Sequence, residues 1–239
     1  MSSVIKVVIV TNVPPPYRIP VWQRVARAEG INLDLIFCAP AYIDTSLDPA
    51  DYGFSKHFLK APCLTTEQHF MHCDLGVWSL LNQLQPDVVI TTGYIPTFLF
   101  AFVWAVTHRV PHVAMTDGTT QSEKSLSWLH RLVRRIVLGR SAAFVGASEG
   151  SCNIFRQYGV AENRIHKSYL CADNERFSYP PSDTAADFIF CGRFVTQKRP
   201  LFALQVARET AIRLKRRTAI DFVGSGSMEP MMSPGDVLL

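Results

Sequence analysis

Seven short apolar runs, rich in β-branched residues and separated by stretches with helical patterning, set the strongest limit on what this chain can become. They lie at residues 4–10, 33–37, 88–91, 112–115, 143–146, 188–191 and 219–223. A continuous apolar run without polar alternation suits a strand covered on both faces, and such strands belong to parallel sheets. The class is therefore α/β. Apolar residues make up 48% of the 239 and charged residues 18%, enough to build a sizeable core and to exclude a disordered chain.

The intervening helices carry their own signals. Residues 17–29 place Ile19, Trp22, Val25 and Ala26 on one stripe, with Arg18, Arg24 and Arg27 off it and Gly30 as a stop. Residues 126–138 place Leu126, Leu129, Val133, Ile136 and Val137 on an apolar stripe and His130, Arg131, Arg134 and Arg135 on a basic face. Ser148 is a natural cap for a helix over 149–158, which Gly159 ends, and Pro200 opens one over 200–217. The polar, proline-containing segment 177–183 reads as a boundary. It gives a first domain over 1–178, a linker over 179–186 and a second domain over 187–239. That second piece holds only strand, helix, strand and a glycine-containing turn, so it leaves most of its apolar surface uncovered and reads as incomplete.

Several other functions fit poorly. The longest uncharged stretch, residues 88–107, approaches the ~20 residues that a membrane span needs. Thr91-Thr92-Gly93-Tyr94-Ile95-Pro96 interrupts it, which predicts a strand followed by a packed helix instead. The N-terminus lacks the basic, apolar and small-residue segments of a secretory signal, so the expected location is cytoplasmic. Six cysteines are scattered singly and read mostly as small buried hydrophobes. His57, His69 and His72, near Glu67, Cys73 and Asp74, invite a metal reading but lack a convincing third ligand; surface or loop histidines and no metal are expected. A net charge of +4 without a recognition motif or aromatic platform argues against nucleic acid as a partner.

Chemistry concentrates where strands end. Phe188-Ile189-Phe190-Cys191 delivers Gly192, then Arg193 and Lys198 in a loop, then a helix opening at Pro200. Ligands of open α/β sheets sit at the carboxyl edge, and exposed N–H groups of a helix start favour phosphate. Asp117, in Ala114-Met115-Thr116-Asp117-Gly118, ends another run. Its carboxylate either orients or deprotonates a hydroxyl, or caps the following segment. Gly93 and Tyr94 end the preceding run and are further edge candidates, Tyr94 more as packing than as a ligand contact.

Three ordered segments carry a family resemblance. Gly192-Arg193-Phe194 with Gln197-Lys198-Arg199-Pro200 resembles the segment that opens the C-terminal domain of glycosyltransferase family 4. Gly146-Ala147-Ser148-Glu149-Gly150, through Tyr158-Gly159-Val160 and Cys171-Ala172-Asp173-Asn174, is similar to that family's passage into its linker. Asp221-Phe222-Val223-Gly224-Ser225-Gly226 resembles its next strand and glycine turn.

The resemblance implies a GT-B fold of two Rossmann-like domains, the second incomplete here, and transfer of a sugar from a nucleoside-diphosphate sugar to a hydroxyl acceptor with retention. No cofactor is implied beyond the nucleotide-sugar substrate. Arg193, Lys198 and Gly192 would hold the donor diphosphate, with Gly224 and Gly226 in the nucleotide-side turn. Asp117 stands about where relatives often have a histidine and would serve catalysis from there, and the loop bearing Asn12, Pro15, Tyr17 and Arg18 would line the acceptor side with Gly93 and Tyr94. That loop has Pro14, Pro15 and Pro16 where relatives have glycines. The acceptor would be a sugar, a lipid-linked compound or another hydroxyl. The basic face over 126–140 offers an anionic membrane surface, as on peripheral enzymes of this type, or is simply solvated. A non-catalytic fragment that binds an acceptor or partner is the alternative, since the chain ends before the family's acidic donor segment. An epimerase or phosphorylase is a third reading.

Overall fold

The computed structural model describes residues 4–14, 18–39, 53–62, 64–65, 70–124, 126–172, 174, 178 and 186–231. Two units divide the chain, Met1–Asn174 and Glu175–Leu239. In the first, β1 (Ile5–Thr11), α1 (Ile19–Ala26), β2 (Ile31–Phe37) and β3 (Ser55–Phe58) are followed by a small antiparallel pair, β4 (Leu64–Thr65) and β5 (Phe70–Met71). Then come α2 (Gly76–Leu84), β6 (Val88–Thr91), α3 (Pro96–Thr107), β7 (His112–Thr116), α4 (Thr120–Lys124), α5 (Trp128–Arg140), β8 (Ala143–Gly146), α6 (Glu149–Gln157) and β9 (Ile165–Lys167).

Seven strands form one sheet in the order β3-β2-β1-β6-β7-β8-β9, and every neighbouring pair is parallel. The five apolar runs of this unit thus become the interior strands of its sheet. Val8, Val10, Ile36 and Val89 pack on one side with Val77 and Leu81 of α2 and Phe98, Ala101 and Trp104 of α3. Ile9, Leu33, Leu35 and Phe37 pack on the other with Ile19 and Trp22 of α1. Each buried Val, Leu, Ile or Phe among them contributes about 1.5–3 kcal/mol through removal from water. Ala114, Leu138, Phe144 and Phe155 continue the core under β7 and β8. Gly146 ends β8 because α6 turns back against it: a Cβ there would lie 2.8 Å from Cys152 Sγ and 2.9 Å from its backbone nitrogen. Ser148 caps α6 by accepting from the Ser151 amide at 3.1 Å.

The uncharged stretch divides as its sequence predicts, with β6 ending at Thr91 and α3 starting at Pro96. Among the described residues no helix is long and apolar enough to cross a membrane. Strands β3 and β9 escape the apolar-run criterion because Ser55-Lys56-His57-Phe58 and Ile165-His166-Lys167 are polar. They occupy the two sheet edges, where charge discourages further pairing. The register expected for α5 is corrected: Val137 and Leu138 are buried, whereas Leu129 and Ile136 are exposed. Arg134, expected on the basic face, turns inward to pair with buried Glu123 of α4. Cysteine burial holds for Cys38 and Cys152 and fails for Cys73, Cys171 and Cys191, which are exposed; Cys63 lies outside the described residues.

In the second unit β10 (Phe188–Cys191) pairs in parallel with β11 (Ile220–Val223), and α7 (Pro200–Leu214) connects them. Leu204 and Ala207 of α7 pack on Ile220, with Phe188 and Phe222 beside them. Exposed Ile189, Phe202 and Ile212 show how much apolar surface one helix and two strands leave uncovered. The helix stops short of the expected residue 217 because Lys215 adopts a left-handed conformation, φ 51°.

Buried His112 ties three elements of the first unit together. Ser141 Oγ gives its proton to the Val137 carbonyl at 2.8 Å, so it accepts from His112 Nδ1–H at 2.8 Å. Nε2 then accepts from the Thr91 hydroxyl at 3.0 Å. The network fits a neutral ring, and burial holds the imidazole pKa down at about 4. The unfolded chain therefore binds a proton that the folded one refuses between the ordinary histidine value and about 4. The stabilisation is complete above about pH 6.5 and is lost as pH falls through that window, up to about 3 kcal/mol. We expect His112→Gln to flatten the dependence of the thermal midpoint on pH between 7 and 4.5; an unchanged slope would remove this assignment.

Candidate functional site

The sheet order runs outward from β1 in both directions: β2 and β3 lie on one side, β6 to β9 on the other. The crevice at the carboxyl ends beside such a reversal is where open α/β sheets bind ligands. A cavity of about 190 Å³ lies there, lined by Thr11 and Asn12 after β1, Arg18 before α1, Thr92 after β6, and Thr116 and Asp117 after β7. This is smaller than the roughly 300–1,000 Å³ of drug-sized sites and suits a group of monosaccharide size.

Its polar groups are partly spent on holding the strand ends. Thr92 Oγ1 donates to Thr11 Oγ1 at 3.0 Å, and the Gly118 amide donates to Thr116 Oγ1 at 3.2 Å. The Asn12 carbonyl accepts from the Ala39 amide at 3.1 Å, whereas its side-chain Oδ1 is buried without a protein partner. An unpartnered buried acceptor is costly, and a ligand hydroxyl would relieve it. Asp117 is exposed at the mouth, and a half-buried Arg18 supplies positive charge. Together they offer an amide, a carboxylate and a guanidinium to a polyhydroxylated ligand.

Of the expected residues on this side, Asn12, Arg18 and Asp117 meet in one cavity. Pro15 and Tyr17 lie outside the described residues. Gly93 and Tyr94 do not line the cavity. Gly93 sits against Phe98, where an added Cβ would come within 3.1 Å of the ring. The Tyr94 ring lies under the Arg134 guanidinium, 4.5 Å from its carbon, and its hydroxyl is buried without a hydrogen-bond partner. Burial pushes that phenol up to about 12. Thr92 and Thr116 are lining residues that sequence reasoning missed, although each is the polar residue at or just past the end of an apolar run.

The histidine-rich region resolves into structural ties. His72 lies in the loop between β5 and α2, and there it is buried, bonded through Nδ1 to Thr97 Oγ1 at 2.8 Å and through Nε2 to the Ala61 carbonyl at 3.1 Å. His57 pairs with buried Asp34 at 2.7 Å. Glu67 and His69 lie outside the described residues, among which no cluster of three His, Cys, Asp or Glu side chains could hold a metal.

In the second unit the loops after β10 and β11 fold as one object. Gly192 N donates to the Val223 carbonyl at 2.9 Å, Phe194 N to Ser225 O at 2.8 Å, and Met228 N to Phe194 O at 2.9 Å. Gly224 and Gly226 permit this contact: a Cβ on Gly224 would lie 2.0 Å from the Gly192 oxygen, and one on Gly226 2.5 Å from the Phe194 oxygen. Phe190, Phe194 and Phe222 cluster beneath, with centroids 5.7 to 6.1 Å apart. Exposed Arg193 and Lys198 flank the buried Phe194 and Val195, just before α7 begins at Pro200. We expect Gly226→Ala to destabilise this unit by more than about 2 kcal/mol and to speed amide exchange at Phe194 and Met228. Unchanged exchange would show that the loops tolerate separation.

A family model described as Glycosyltransferase Family 4 matches residues 23–176. No curated protein matches the chain by sequence. Among solved structures, Anabaena HepE in complex with UDP and glucose is 12% identical with a TM-score of 0.62, over 95% of this chain and 71% of that one. The UDP-GlcNAc 2-epimerase from Neisseria meningitidis bound to UDP-GlcNAc is 14% identical with a TM-score of 0.58, over 95% and 67%. The UDP-GlcNAc 2-epimerase from Methanocaldococcus jannaschii is 15% identical with a TM-score of 0.54, over 91% and 65%. The chain thus spans 65–71% of the length of these neighbours. At such identities the likeness establishes the fold, which is of the GT-B Rossmann-like type.

Proposed function

The chain belongs to Glycosyltransferase Family 4, and from that membership we propose that it serves transfer of a sugar from a nucleoside diphosphate to a hydroxyl acceptor, with retention of configuration. The observation that carries this reading is the paired-loop structure after β10 and β11, which leaves Arg193 and Lys198 exposed ahead of the α7 N-terminus. Breaking a glycosyl–phosphate bond loads negative charge onto the departing nucleoside diphosphate, and fixed cations beside it lower the barrier. Arg193 and Lys198 take that role, with the helix start adding its partial positive charge. In the first unit Asn12, Arg18 and Asp117 hold the hydroxyl partner, a sugar, a lipid-linked compound or another alcohol, and Asp117 orients the incoming hydroxyl. UDP is the nucleotide to test first, because it is bound in the HepE structure and, as part of UDP-GlcNAc, in the Neisseria epimerase.

Epimerisation of a UDP-sugar is a second reading, favoured by epimerases among the structural neighbours. The two readings part on one requirement. Transfer consumes donor in proportion to acceptor supplied, whereas an epimerase converts donor with no acceptor present.

Binding of UDP to the 239-residue chain, followed by calorimetry, provides the first test. Removal of a charged hydrogen-bond partner costs about 1.5–3 kcal/mol, so Arg193→Ala should weaken binding roughly 10- to 100-fold. Asp117→Asn should leave UDP binding unchanged and depress turnover. Equal UDP affinity in wild type and Arg193→Ala would defeat the diphosphate assignment.

A further inference from the structure

Helix α4 is too short to hold itself. Its five residues lie well below the ~12–15 that an isolated helix needs, and Thr120, Gln121, Ser122 and Lys124 are exposed or half-buried. Glu123 is its one buried side chain, so the helix has no apolar residue with which to grip the core. Its place matters because it follows Asp117 directly. The Gly118 amide donates to Thr116 Oγ1 at 3.2 Å, the Thr119 amide to Ser122 Oγ at 3.0 Å and the Glu123 amide to the Thr119 carbonyl at 3.1 Å. These bonds join residues 116–123 into one continuous turn, with Asp117 near its start and Glu123 at its end.

That end is fixed by charge. Glu123 Oε1 pairs with Arg134 Nη1 of α5, and Glu123 Oε2 accepts from the Tyr158 hydroxyl of the α6 end at 3.4 Å. The same guanidinium lies over the Tyr94 ring, 4.5 Å from its centroid. The Tyr94 hydroxyl has no hydrogen-bond partner, so the ring is tied through its face. Tyr94 stands two residues after Thr92, whose amide donates to the Val10 carbonyl at 3.3 Å and whose hydroxyl bridges to Thr11 in the cavity wall. One arginine therefore reaches both the segment leaving β6 and the segment leaving β7.

The pair is shielded from water, with side-chain exposures of 14% for Arg134 and 10% for Glu123, so it is not screened as a surface ion pair is. A charge-assisted contact of this kind also fixes direction, which an apolar plug does not. Neither side chain lines the cavity. We propose that Glu123 and Arg134 are positioning residues for the cavity at the sheet edge: Arg134 clamps the segment ending at Tyr94 and, through Glu123, the turn bearing Asp117, and so keeps Thr92 and Asp117 at their places in its wall. The bearing of this clamp on transfer rests on Asp117 acting on the acceptor hydroxyl.

Amide hydrogen exchange of the 239-residue chain, read residue by residue by NMR, tests the clamp. Glu123→Gln should speed exchange at positions 118, 119 and 123 about 10-fold or more and leave position 92 unchanged. Tyr94→Leu should speed position 92 alone, and Arg134→Gln should speed both sets. The Leu59 and Val89 amides, bonded to the Phe37 and Pro111 carbonyls, are the reference and should keep their rates. Arg131→Gln removes an exposed tie to the Lys124 carbonyl and, as the control, should change the four rates less than about fivefold. Where a single variant fails to fold because a buried charge is left unpaired, Glu123→Gln with Arg134→Gln removes both charges and should fold with all four positions fast. Unchanged exchange at those positions would overturn the proposal. So would equal acceleration at Leu59 and Val89, since the pair would then serve only the stability of the whole unit. Turnover separates the clamp from the reading of the cavity. With UDP-glucose as donor and glucose as the hydroxyl probe, Glu123→Gln should depress turnover, leave UDP affinity unchanged and add little to Asp117→Asn. Fast exchange at 118 and 119 with full turnover by Glu123→Gln would overturn the positioning role. Turnover indifferent to Asp117→Asn would instead defeat the reading of the cavity and leave the clamp to stand on exchange.

Discussion

Everything in the first unit is organised by β1, which is hydrogen-bonded in parallel to β2 on one side and to β6 on the other. A parallel strand with two parallel neighbours cannot be reached by tight turns, so each neighbour arrives through a crossover that places a helix on one face. That requirement explains why Val8 and Val10 meet α2 and α3 while Ile9 meets α1. It also explains why the strand must be apolar on both sides. The cavity is a by-product of the same constraint. The chain leaves β1 toward β2 on one side and later returns to place β6 on the other, and the polar residues Thr11 and Asn12 occupy the gap at its carboxyl end.

The paired loops of the second unit are made by a different force, the close approach of two backbones. Gly192–Phe194 and Val223–Gly226 lie so near each other that side chains are excluded at positions 224 and 226. Among the side chains that reach solvent from these loops are those of Arg193 and Lys198. Buried Phe194 and Val195 between them anchor the loop from below. The cavity and the paired loops thus differ in how they are held: strand ends bridged by a threonine pair in the first, main-chain hydrogen bonds and glycines in the second.

Much of this was legible in the residues. Runs such as Val88-Val89-Ile90-Thr91 announce interior strands because burial on both faces leaves no room for polar alternation. Edge strands β3 and β9 were not legible, since a strand with one neighbour and a charged face carries no such run. The register of α5 misled for a physical reason. Its sequence holds more apolar residues than the core accepts, and the helix buries Arg134 against Glu123 while exposing Leu129 and Ile136. A buried ion pair depends on a partner distant in space, which periodicity along one helix does not reveal. Similarly, Asn12 and Asp117 could be named as cavity residues from their places after strands, but the threonine bridges depend on the sheet order, which the sequence leaves open.

The joined loops after β10 and β11 carry a consequence for how this protein can be re-engineered or can diverge. Because three main-chain bonds and two glycines lock one loop onto the other, residues 192–195 and 223–228 form a single cassette. Transplanting one loop from a relative with different ligand preference would leave the other without its partner. A change of specificity in this unit has to travel as the pair, so the two segments, some thirty residues apart in the chain, are expected to vary together.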